Sequence, residues 1–275
     1  MTMAFTLDSI SKQARLRAPR IVLLGTEKIG KTTFACGSRF EGGKLVEIGL
    51  NKPIVIPIRG EEGADALAVP TFPTCHGVTE VLEAVALLYT EDHEYKTVVI
   101  DSASALQPLV EEEVCQEAGV DNIRKVPGFR TGDAACVNKW RAITNGLDAL
   151  RDSKGMASII IGHSKVRTVK NPEGENWDAF DFDLDMPEVG ELLKRWADAI
   201  FFAGTKTIVK MTGEDTKFSK AKRQGKDNTG GQRFLFTGKH PARPTGGRGV
   251  YGQLPDELPL DWAAFEEAVA AVASA

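Results

Sequence analysis

Cysteine is scarce and scattered. The 275 residues hold four, Cys36, Cys75, Cys115 and Cys136, with no C-x-x-C pair and no histidine at metal-ligand spacing. That pattern excludes a disulfide framework and a structural zinc site, and it fits a reducing compartment. Long apolar runs are missing too: nothing approaches the roughly 20 apolar residues of a membrane span. The stretch Met1–Arg20 carries Lys12, Arg15, Arg17 and Arg20 but no long apolar core, so neither a membrane partner nor a secretory signal is expected. Aromatic residues make up only 7%, with Phe218 and Trp177 as the candidates for base stacking, so there is little material for it. There is no internal repeat. A soluble cytoplasmic protein is expected.

What is present describes a globular chain. Hydrophobic residues are 42% and charged ones 26%, with 27 Gly, and the length suits one main α/β domain with appendages. The formal net charge of −4 hides an asymmetry: from Gly204 to Val250 eleven Lys or Arg face three acids, giving +8 and leaving −12 elsewhere. Such a segment fits a polyanion-binding face, and a solvated Lys-rich hairpin fits it equally.

Ile21–Leu24 is a short apolar run ending in Gly25, with helix-compatible residues from Lys31. Ile54–Ile58, Thr97–Ile100, Ser158–Ile161 and Ala199–Ala203 read as further buried strands. Val78–Tyr89, Asp133–Asp152 and Val189–Trp196 have helical apolar spacing, with Asp133 as an expected N-cap, and Trp262–Val272 reads as a terminal helix. Strands alternating with helices imply a mostly parallel central sheet flanked by helices. Asn122–Gly132, Val166–Asp185 and Lys217–Gln232 are expected to be irregular.

Gly25-Thr26-Glu27-Lys28-Ile29-Gly30-Lys31-Thr32 matches G-x-x-x-x-G-K-[ST] between a strand and a helix. The glycines allow a tight loop whose N–H groups face phosphate oxygens, Lys31 is expected on the β- and γ-phosphates, and Thr32 on magnesium. Residues Gly25 to Thr33 form the expected nucleotide-binding set. Asp101 ends a later strand, where it can support the metal directly or through water, or can cap the helix that follows. Glu61 and Glu62 end the Ile54–Ile58 strand, where a water-activating carboxylate or solvated loop acids are both consistent. His163, at the tip of the strand after that of Asp101, can touch a γ-phosphate or be a surface histidine.

Several stretches together resemble the phage nucleotide-binding proteins of RecA-like fold, the Sak-type single-strand annealing ATPases. They are GTEKIGKTT, PIVIPIRGEEGAD, YKTVVIDSASALQPLV, LRDSKGMASIIIGHSKV, RWADAIFFA and RFLFTGKHPARPTGGRGVYGQLP, spanning Ile21 to Leu254. The resemblance implies a RecA-like P-loop NTPase core that holds ATP and Mg2+ through Lys31, Thr32 and Asp101. It favours Glu61 over Glu62 as the water-activating acid and implies a γ-phosphate sensor at His163. It also implies a DNA-contacting loop at Ser164–Asp185. That loop is acidic after Lys170, so Lys165, Arg167 and Lys170 are expected to contact DNA while the acids face elsewhere; Lys220, Lys222 and Arg223 are added from the basic segment. RecA-like ATPases often borrow a basic group from the next subunit, for which Arg248 or Arg243 is a candidate.

The expected organisation is an N-terminal extension (1–20), a RecA-like ATPase core (21–203), and a basic hairpin and loop extension with a C-terminal helix (204–275). The expected function is an ATPase of single-stranded DNA recombination. The implied partners are single-stranded DNA, further copies of the chain in a ring or filament, and a single-stranded-DNA-binding protein. The alternatives are a nucleotide-dependent switch bound to a protein such as a replicative helicase, and a small-molecule kinase. The kinase lacks an arginine-rich lid, since the irregular stretch between Asp101 and His163 offers only Arg124 and Arg130.

Overall fold

The computed structural model describes residues 17–61, 63–212, 222–227 and 230–274. Strand β1 (Arg20–Gly25) leads through the glycine loop into the short helix α1 (Lys31–Ala35), followed by the hairpin strands β2 (Arg39–Glu41) and β3 (Lys44–Glu47). Next come β4 (Pro53–Pro57), α2 (Val78–Thr90), β5 (Thr97–Asp101), α3 (Ala103–Ala118) and α4 (Thr131–Lys154). The chain continues through β6 (Ala157–Val169), β7 (Trp177–Phe182), α5 (Pro187–Trp196) and β8 (Ala199–Gly204). The last part comprises β9 (Thr207–Thr212), β10 (Lys222–Asp227), β11 (Phe234–Phe236), β12 (Gly246–Gly247), β13 (Glu257–Pro259) and α6 (Trp262–Ala273).

The central strands lie in the order β8-β1-β6-β5-β4 and are all parallel, joined by helical crossovers. Parallel strands covered on both faces are apolar throughout, because successive side chains point to opposite faces. In β1, Val22 and Leu24 enter the core shared with α2 to α5, whereas Ile21 and Leu23 pack with Phe34, Phe201 and Phe265 on the other face. The expected α/β architecture is thus present. Among the described residues no helix is long and apolar enough to cross a membrane.

Strand β4 is an edge strand that carries two prolines, and its geometry explains how. Val55 uses its outward N–H and C=O on Pro70 and Phe72, and the Pro57 carbonyl accepts from Cys75. Pro57 therefore faces the outer side, where its missing N–H interrupts no bond to β5. At the opposite edge β11 runs antiparallel to β8 and β13 to β11, so the sheet continues into the C-terminal part of the chain.

Three expectations need correction. Val166–Asp185 is a β-hairpin over most of its length: β6 runs to Val169 and pairs antiparallel with β7. Each face mixes apolar and polar residues, Val166, Phe180 and Phe182 with Ser164, Thr168 and Asp178 on one, so it lacks the strict apolar alternation by which a strand is read. Lys222–Asp227, inside the stretch read as irregular, forms β10 and pairs antiparallel with β9, as the hairpin expected of the basic extension requires. Helix α4 starts at Thr131 behind Arg130, and Asp133 sits in its first turn paired with Arg130 instead of capping it.

Candidate active site

In a parallel sheet the C-terminal ends of all strands lie on one edge, and here four of them deliver chemistry to one place. The loop after β1 bends back tightly: Gly30 has φ 105°, outside the range of ordinary side-chain-bearing residues. A Cβ on Gly25 would stand 2.3 Å from the Ala203 carbonyl oxygen, so β8 can approach only a glycine there. The cavity at this edge has a volume of about 680 Å³, and its lining includes Gly30, Lys31, Thr32, Thr33, Glu61, Asp101 and His163.

Lys31 is buried, and its ammonium donates to the carbonyls of Gly25 (3.1 Å) and Thr26 (2.8 Å). Burial lowers its pKa, while Asp101, Glu61 and Glu27 oppose that shift by their charge. The Thr32 hydroxyl donates to Asp101 Oδ2 at 2.7 Å. Burial pushes the Asp101 pKa up, and the hydrogen bond from Thr32 offsets part of this. A hydroxyl beside a buried carboxylate is a hard-oxygen pair of the kind Mg2+ takes when phosphates and water complete its shell. Thr32 and Asp101 are thus suited to hold that ion.

Glu61 closes the other side. Its Oε1 accepts from the Ser102 hydroxyl at 2.6 Å and lies 2.9 Å from His163 Nε2, while His163 Nδ1 lies 3.4 Å from the Lys31 ammonium. Burial acts to raise the Glu61 pKa, but the bonds to His163 and Ser102 and the nearby charges outweigh it and hold the carboxyl below its ordinary value. The His163 backbone N–H is anchored on the Ser104 hydroxyl. Ser102, not Asp101, caps α3, accepting from the Ala105 N–H. Glu62 lies outside the described residues.

Over residues 17–249 the chain matches the AAA domain family AAA_24. It belongs to that family. No curated protein matches it. Among solved structures this AAA domain is similar to the crystal structure of the RadB recombinase, at 12% identity and TM-score 0.40, covering 80% of this chain and 81% of that one.

Other expected site residues of the AAA domain fall elsewhere. Arg248 lies beside β12, which pairs with Ile200 and Ala199 at the start of β8, the end of the sheet away from the glycine loop. Its guanidinium donates to the carbonyls of Arg195 and, at 2.8 Å, Ala197, so within its own chain it caps α5. Arg243 lies over the Phe236 ring at 3.5 Å. Lys165 is paired with Asp183 (2.9 Å) and Asp185 (3.1 Å), and Arg167 donates to the Leu184 carbonyl and lies 3.9 Å from Asp181. Asp181, Asp183 and Asp185 therefore face the hairpin's basic residues instead of turning away, because antiparallel pairing folds the acidic side back onto the basic one. Lys170 follows β6 directly. Trp177 is anchored through Nε1 on the Pro241 carbonyl. Lys222 and Arg223 lie on the backbone of β10, and Lys220 and Phe218 lie outside the described residues.

Sequence reasoning missed Ser102 and Gly63. A serine after a strand-ending aspartate signals a helix cap, which Ser102 is, but not its second bond to Glu61. Gly63, in the loop after β4, gave no signal of its own; a Cβ there would stand 2.6 Å from Thr32 Oγ1 and 3.1 Å from Asp101 Oδ2.

Proposed function

We propose that this AAA domain binds ATP with Mg2+ and hydrolyses it, and that it does so on single-stranded DNA as a phage recombination ATPase of the Sak type in the host cytoplasm. In this reading the core is RecA-like, and copies of the chain assemble in a ring or filament. The observation that carries the hydrolytic part is the position of Glu61, on the wall of the cavity that holds Lys31, Thr32 and Asp101, with its Oε1 bound to Ser102 and His163.

Lys31 leaves its loop carbonyls to neutralise the β- and γ-phosphates, while the loop amides hold the remaining oxygens. Thr32 and Asp101 would hold Mg2+, which when bound would supply neutralising charge at the phosphates. Glu61, kept ionised by its neighbours, accepts the proton of a water aimed at the γ-phosphorus. His163 links that carboxylate to the hairpin β6–β7, so the state of the phosphate is felt at the segment expected to meet DNA. A trans-acting arginine, with Arg248 as the candidate, belongs to the same reading.

The DNA role is supported by the resemblance and by the positive segment between Gly204 and Val250. The test is ATP turnover with and without single-stranded oligonucleotide, alongside anisotropy titrations at two salt concentrations, each with and without ATP. Expected are DNA-stimulated turnover and binding that weakens with salt. Turnover indifferent to DNA, together with no salt-sensitive binding, would remove the recombination reading. The pairing of Lys165 with Asp183 and Asp185 favours a second reading, a nucleotide-dependent switch that addresses a protein partner through the hairpin. In that case turnover responds to the partner and not to DNA.

A further inference from the structure

A second cavity of about 680 Å³ lies against the far side of the glycine loop, walled by Phe40, Arg233, Leu260 and the start of α6 at Ala263, Ala264 and Glu267. The two cavities meet at one wall. Arg233 Nη1 donates to the Ile29 carbonyl at 3.1 Å, and a Cβ on Gly30 would stand 2.7 Å from the same nitrogen. Arg233 therefore links the phosphate loop to the second cavity, and Gly30 has no side chain to keep it out.

The guanidinium of Arg233 lies over the Phe40 ring, 5.2 Å from its centroid, a planar cation and an aromatic face together at the cavity wall. The wall is held in place: Asp261 accepts from the Phe40 N–H and from the Ala264 N–H, and the Trp262 N–H donates to the Ser38 carbonyl at 2.8 Å. Its apolar floor is Leu260 and Pro259. The lining is mixed, with Arg39, Glu41, Asp261 and Glu267 beside the apolar groups; a volume within roughly 300–1,000 Å³ that joins an apolar floor to fixed polar groups suits a small organic ligand. A flat heterocycle is what a guanidinium and a phenyl ring bind best by their faces.

We infer that this cavity receives the base and ribose of the nucleotide whose phosphates lie in the glycine loop, with Arg233 and Phe40 as the stacking groups. The inference rests on the reading of Gly25–Thr32 as a triphosphate site. Binding energy is thus divided between two places, electrostatic at Lys31 and dispersive at Phe40 and Arg233, and the second contributes only when a nucleoside is attached to the phosphates.

The experiment is calorimetric titration of the full chain with Mg-ATP and with Mg-tripolyphosphate, which lacks base and ribose. Ala264→Phe fills the cavity without removing a contact described above, and Glu267→Trp blocks it from an exposed position of α6 should the first variant fold poorly. ATP affinity is expected to fall about tenfold or more in either folded variant, the loss of one stacking contact, while tripolyphosphate binding is unchanged. ATP binding unchanged in a folded variant would overturn the inference, as would an equal loss for both ligands. In either case wild-type binding of both ligands would leave the triphosphate site standing. Wild-type protein that binds neither ligand would overturn both readings.

Discussion

Glu61 and His163, 102 residues apart in the chain, meet at the glycine-loop cavity with Oε1 2.9 Å from Nε2. One comes from the loop after β4 and the other from β6, with β5 between them in the sheet. The contact ties the proposed proton acceptor to the strand that continues into the hairpin.

Removing the His163 side chain takes away the bond that, with Ser102 and Lys31, holds the Glu61 carboxyl below its ordinary value against burial. In His163→Ala the Glu61 pKa rises, so the protonated, inactive form persists to higher pH. The acid limb of turnover against pH is expected to move upward while nucleotide affinity is retained. A profile superimposable on that of wild type would show that Glu61 does not set that limb. Glu61→Gln, which binds the nucleotide but accepts no proton, is expected to lower turnover by about two orders of magnitude or more.

Lys31→Met is expected to abolish turnover while the melting temperature of the unliganded protein holds or rises. The ammonium is buried, and its lowered pKa means that the folded state disfavours its charged form. Replacing it with an apolar chain of similar length relieves that cost at neutral pH. Wild-type turnover would refute the site, and a lowered melting temperature would refute the account of its electrostatics.

Gly63→Ala places a methyl group where only 2.6 Å separates it from Thr32 Oγ1. Thr32 and Asp101 must move apart or aside, so the magnesium-dependent part of ATP affinity is expected to drop about tenfold, with metal-free binding and stability little altered. Titrations with and without EDTA read this directly; equal losses in both would place the effect outside the metal pair.

Asp198 accepts from the Arg20 backbone and guanidinium and lies 3.0 Å from Arg151. Burial raises its pKa, but the bonds from Arg20 prevail and leave it lowered. A lowered carboxyl stabilises the fold above its unfolded pKa, and that stability is lost as pH falls through the folded value. Asp198→Asn is therefore expected to cost about 2 kcal/mol at pH 7, leaving Arg20 with Asp148 alone and the partly buried Arg151 without the carboxylate 3.0 Å away. The difference from wild type should shrink in acid. Urea unfolding at both pH values decides it, and a pH-independent gap would point to lost packing instead.

Lys165 is already neutralised by Asp183 and Asp185. If the hairpin meets DNA, the double variant Asp183→Asn with Asp185→Asn removes two repelling charges and frees Lys165. Anisotropy with single-stranded oligonucleotide is expected to show tighter binding with a steeper salt dependence. Unchanged affinity would place the DNA contact elsewhere on the chain.

The glycine loop, the buried strands and the main helices could be read from the sequence because each is encoded by residues close together along the chain. Eight consecutive residues specify the bend after β1, and runs such as Ile21–Leu24 and Val98–Ile100 are apolar because both faces of a parallel strand are covered. Polar partnerships had no such local code. Lys165 finds Asp183 only through the register of a hairpin with mixed faces, a register that no strictly alternating apolar face announces. Arg233 reaches Ile29 across 204 residues, and Ser102 turns to Glu61 because β4 and β5 end side by side. Neighbouring residues determined which elements form and where phosphate can bind; only the packing of the sheet decided which distant charges neutralise one another and which remain for a ligand.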